Sequence, residues 1–110
     1  MSEQDDLVER LRELLAAEAT VREVRMLGTR ALMVREKLLV GALRNGGLLV
    51  RVDPGRHEEL AARPGAAQAV MGKSRTMGAG WLEVAPAALV GDGLEPWLDA
   101  ALEYRRASGD

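Results

Sequence analysis

Asn45-Gly46 stands between two apolar runs, Leu38-Leu39-Val40-Gly41-Ala42-Leu43 before it and Gly47-Leu48-Leu49-Val50-Arg51-Val52 after it, and no other stretch narrows the fold as much. Asn-Gly suits the positive φ angles of a type I′ turn, whose twist matches that of the strands it joins. The spacing predicts strands near 37–43 and 47–52, paired antiparallel. A chain with this hairpin at its centre has to build a sheet around it. Thr20 to Met26 and Arg30 to Val34 have the β-branched, alternating character of two earlier strands, broken at Gly28, and Trp81-Leu82-Glu83-Val84 alternates before Pro86 ends it. About five strands are expected.

Helical periodicity frames them. Leu7, Leu11, Leu14 and Leu15 form one stripe of a helix from about residue 4 to 18, with an acidic first turn that suits the helix dipole. Asp53-Pro54 reads as an N-cap and a first-turn proline opening a middle helix through Ala62, which Arg63-Pro64-Gly65 stops. A weaker helical turn is expected over residues 66–71. Asp92 and Glu95 have capping-box spacing, and Leu94, Trp97, Leu98, Ala101 and Leu102 keep the helical period, with Pro96 harmless in the first turn. The order predicts one α+β domain over residues 1–110, in two layers, with a mainly antiparallel sheet and N-terminal, middle and C-terminal helices. With no Phe, one Tyr and two Trp, the core has to be aliphatic, and Trp81 and Trp97 are its largest expected pieces.

The chemical motifs are weak. Gly72-Lys73-Ser74 ends like a P-loop, but the first glycine of that pattern falls on Ala67, and Gly78 and Gly80 interrupt any helix after it. His57-Glu58 begins like a zinc-protease helix, but the second histidine position is Ala61 and the chain has no other His. Ser2, Ser74 and Ser108 have no nucleophile-elbow context. The chain has no Cys, which excludes disulfides and thiolate chemistry. No catalytic group, cofactor or metal site is therefore expected. With an acidic start and no long apolar run, a cytoplasmic location and no membrane partner are expected. Charge is segregated: residues 20–82 carry 11 Lys and Arg against 5 Asp and Glu, and the flanks carry 4 against 12. Arg22, Arg25, Arg30, Arg35, Lys37, Arg44 and Arg51 lie on or beside the strands. They are either a solvated sheet surface or an anion-binding face, which leaves direct nucleic-acid binding as an alternative function.

Taken in order, "VREVRMLGTRALMV", "KLLVGALRNGGLLVRVDPGRHEELAARPGA", "MGKSRTMGAGWLEV" and "LEPWLDAALEYRR" resemble the N-terminal domain of the TfoX/Sxy family over about residues 20–106. The resemblance implies a secretion-chaperone-like two-layer fold and a non-enzymatic regulatory role. Longer members of that family control natural competence as transcriptional coactivators with the cyclic-AMP receptor protein, and they carry a C-terminal helical domain. This chain is expected to be a stand-alone form. Lys73, Arg75, Met77, Gly80 and Trp81 look like the family's basic loop leading into a strand. Leu27 and Leu32 stand where the family often has aromatics, and are expected in the core.

The expected function is a regulatory, protein-interaction module. Its candidate partner-binding residues are Arg30, Lys73, Arg75, Met77, Gly80 and Trp81, and the partner class is a protein, including transcription machinery. A homodimer is also expected. Leu38-Leu39-Val40 and Leu48-Leu49-Val50 place apolar side chains on both faces of the sheet, so Leu39 and Leu49 are candidate interface residues.

Overall fold

The computed structural model describes residues 2–18, 21–71 and 75–108. Helix α1 (Glu3–Leu14) precedes strands β1 (Val21–Met26), β2 (Thr29–Val34), β3 (Lys37–Ala42) and β4 (Leu48–Arg51). The short helix α2 (His57–Ala61) leads to β5 (Ala66–Gln68), a ribbon of β6 (Val70–Met71) and β7 (Arg75–Thr76), then β8 (Trp81–Val84) and helix α3 (Leu94–Ala107). Six strands make one antiparallel sheet in the order β1-β2-β3-β4-β8-β5, and β6 and β7 pair separately. This is the expected α+β architecture, with six strands in the main sheet.

All three helices pack on the same face. Leu32, Val40, Leu48, Val50, Leu82 and Val84 point toward them and are at most 1% exposed, sealed by Leu7 and Leu11 of the first helix, Leu15 at its C-cap, and Leu94, Trp97 and Leu98 of the last. Ser2 caps α1 in a reciprocal box: its hydroxyl accepts from the Asp5 N–H, and the Asp5 carboxylate accepts from the Ser2 N–H. The helix stops at Leu14, earlier than expected, and Leu14 faces outward while Val8 takes its place in the stripe.

The central hairpin forms with a different turn. The Gly46 N–H bonds Leu43 O and the Leu43 N–H bonds Gly47 O, while only Gly46 has positive φ. That is a type I turn closed by a glycine bulge, with Arg44 inside the loop, instead of a type I′ turn on Asn45-Gly46. The two-residue turns lie elsewhere, at Leu27-Gly28 and Arg35-Glu36, where all four residues have positive φ.

Three other expectations change. Asp53 accepts from Gly55 N and starts a single tight turn at Pro54–Arg56, so the middle helix begins only at His57. Residues 66–71 are extended, not helical, because β8 offers Ala66–Gln68 a pairing edge. Gly91–Gly93 forms its own turn, so α3 starts at Leu94 behind Gly93 and the Asp92–Glu95 box does not form.

Candidate functional site

The face of the sheet turned away from the helices has no covering layer among the described residues. Alternation brings Thr29 and Ala31 of β2, Gly41 of β3, Leu49 of β4, and Trp81 and Glu83 of β8 onto it. Their cross-strand neighbours explain the shape. Gly41 lies directly between Ala31 and Leu49, and a Cβ there would come within 2.8 Å of the Thr29 methyl, so the floor is low in the middle. Around it lies a groove of about 400 Å³ running from Met26, Leu27 and Thr29, past Leu38, Leu43 and Leu49, to Val70, Met77 and Trp81. Met26 is 41% exposed, Val70 50% and Leu27 97%.

The far wall is built by hydrogen bonds. Val70 N–H donates to the Glu83 carboxylate at 3.1 Å, and the Gln68 amide donates to the carbonyls of Ala69, Gly78 and Trp81. Gly80 is pinned from two sides: its N–H donates to His57 Nδ1 at 2.9 Å and its carbonyl accepts from Val52 N–H. Its φ is +90°, and a Cβ would lie 2.7 Å from Val52 O, so only glycine fits this corner. Arg51 closes the end of the sheet, with its guanidinium 4.8 Å from the Trp81 ring and 5.3 Å from the Tyr104 ring of α3.

Of the expected partner-binding residues, Met77 and Trp81 line the groove, Arg75 sits beside them in an adjoining hollow, and Gly80 shapes the turn behind. Leu49 joins them on the floor. Trp81 is thus half-buried on the open face, whereas Trp97 is in the core. Lys73 lies outside the described residues. Arg30 is on the other side of the sheet, where it donates to Glu23 at 2.6 and 3.0 Å and to Asp5 at 2.6 Å. These bonds, with Arg12 at 2.8 Å, hold the Glu23 carboxyl down from 4.5 to about 2; Arg30 is the largest cause. Arg22 is likewise committed to Glu36, raising the arginine and lowering the carboxyl.

Leu39 and Leu49 are not on one surface. The β2–β3 register slips by one residue after Leu32, so Leu39 turns into the core at 1% exposure while Leu49 stays on the open face. The expectation for Leu27 is overturned: Leu32 is in the core, but Leu27 stands almost wholly in solvent at φ +48°. Residues 26–29 read as a two-residue turn between alternating strands would have signalled this. Met26, Leu38, Val70, Glu83 and His57 are not marked by the sequence either: Val70 bonds Glu83 and His57 bonds Gly80, 13 and 23 positions away, while the sides taken by Met26 and Leu38 follow from the β1–β2 turn and the β2–β3 slip.

The candidate site is thus an apolar groove on the uncovered face of a one-sided antiparallel sheet, with Arg75 beside its Trp81 end. Among the described residues no group of His, Asp and Glu could hold a metal, and no helix is long and apolar enough to cross a membrane. The chain belongs to the TfoX N-terminal domain family, whose sequence profile matches residues 13–104. No curated protein and no solved structure matches it.

Proposed function

We propose that this chain is a non-enzymatic regulatory module that binds another protein across the open face of its sheet, with Leu27 as the anchor. Leu27 carries the reading. Left-handed backbone costs a leucine about 1–2 kcal/mol, which Asn or Gly in the same turn would avoid. A side chain held at local cost, 97% exposed beside an apolar groove, serves contact and not folding. Arg75 flanks the Trp81 end of the groove, whereas the hollow behind Leu27 is lined by Arg25, Arg30 and Arg44, of which Arg25 and Arg30 share the helix-covered side of the sheet. The fitting partner segment therefore presents apolar side chains to the groove and an acidic residue at its Trp81 end, opposite Arg75. The family's link to control of competence points to transcription machinery as the partner class.

The test compares what the tagged full chain retains from a native extract as wild type, as Leu27→Asn, and as Arg106→Ala on the helical side. A protein held by wild type and Arg106→Ala but lost with Leu27→Asn is the expected result. Leu27→Asn should melt no lower than wild type, because Asn-Gly suits this turn. Retention of the same protein by all three refutes the reading. Recovery of nucleic acid instead, falling steeply with salt, would establish the direct nucleic-acid alternative.

A further inference from the structure

We propose that a second copy of this chain adds to the outer edge of β1, antiparallel about a twofold axis at Val24, so that two sheets become one. The two edges of the sheet differ. β5 is only three residues long, a blunted edge, whereas β1 has six residues and no strand on its outer side among the described residues. The Leu27-Gly28 turn closes on the Met26–Thr29 pair, and hydrogen-bonded pairs alternate from there. The N–H and C=O groups of Val21, Glu23 and Arg25 are thus directed to the open edge.

Charge selects the register. A twofold axis perpendicular to the sheet keeps both helical layers on one side, and it passes through Glu23, Val24 or Arg25. Centring on Glu23 sets two carboxylates directly opposite, and centring on Arg25 sets two guanidinium groups opposite; both are unfavourable. Centring on Val24 places valine against valine and sets each Glu23 opposite the other copy's Arg25, on the helix-covered side where both residues point. Arg25 is suited to this: its side chain is 79% exposed, and its approach to its own Glu23 is a loose 3.9 Å. Edge charges usually repel another strand; here their signs alternate on one face and so complement a copy of themselves. The interface runs along the β1 edge and the groove lies on the face; the two meet only at Met26 and Leu27, which fall opposite Arg22 and Val21 of the second copy, so the Val24 and Arg25 variants test the edge by itself.

The chain has no cysteine, which makes the register directly readable. Opposed residues at a non-hydrogen-bonded antiparallel pair have Cα atoms about 4.5 Å apart, within disulfide reach. Sedimentation equilibrium should give a dimer mass for wild type. Mild oxidation should link Val24→Cys into a covalent dimer but not Arg22→Cys, whose counterpart is Met26. Arg25→Glu, which opposes carboxylates, should sediment as a monomer with unchanged circular dichroism. A wild-type monomer at every concentration overturns the proposal. So does a dimer that survives Arg25→Glu and links through Leu49→Cys but not Val24→Cys, since that would be a face-to-face pair.

Discussion

The two faces of the sheet are made by the same strands, yet helices seal one while the other keeps a groove, even though Ala31 and Leu49 on it are themselves buried. On the covered face Leu32, Val40, Val50 and Leu82 lie side by side across four strands, and the helices leave none of them more than trace exposure. On the open face the equivalent row reads Ala31, Gly41, Leu49 and Glu83, small or charged at three positions of four. Volume at alternate positions, more than hydrophobicity, separates a face that closes into a core from one that remains a groove.

The largest effect should come from truncating each face in turn. Leu39→Ala removes a core side chain and should cost about 2–5 kcal/mol by urea unfolding, whereas Leu49→Ala, beside Gly41 and an open groove, should cost roughly half of that or less. Equal losses would erase the distinction between the faces. Next in size is His57→Ala, which leaves the Gly80 N–H without its acceptor. The expected cost is about 1–3 kcal/mol, with faster hydrogen exchange at that amide as the local readout. An unchanged exchange rate would mean the groove wall does not depend on this bond.

The smallest effect concerns acid. Glu23 is held at about 2 instead of 4.5, so its contribution to stability is complete above about pH 4.5 and is lost as pH falls through about 2. Between those values wild type should lose stability that Glu23→Gln does not, by about 1 kcal/mol for an ion-pair cluster within reach of water. Superimposable pH curves would show that Arg30 and Glu23 act by packing alone.

Much of the fold was legible because it rests on local pattern. Alternation located β2, β3, β4 and β8, and the helical period located α1 and α3. What was illegible was set by contacts across the sequence. Ala66–Gln68 carries no strand preference and becomes one only by pairing with β8. The slip after Leu32 reverses the side to which Leu39 points, which no count along β3 alone reveals. The candidate site is half visible in the sequence: Met77, Trp81 and Leu49 fall in the groove, but size and apolarity alone put Leu27 in the core, and only the turn that carries it puts it in solvent. His57 looked like an ordinary helix residue because the amide it accepts from lies 23 positions away.

The two tryptophans have an optical consequence. Trp97 sits in the core at 4% exposure, with Arg63 5.4 Å from its ring, while Trp81 lies half-buried on the groove under Arg51. With no phenylalanine and a single tyrosine, these two indoles dominate the ultraviolet emission, one for each side of the sheet. A molecule seated in the groove should strip water from Trp81 and move its emission to the blue without altering that of Trp97, whereas melting of the core should move Trp97 to the red. Emission colour should therefore separate filling of the groove from unfolding, without any added label.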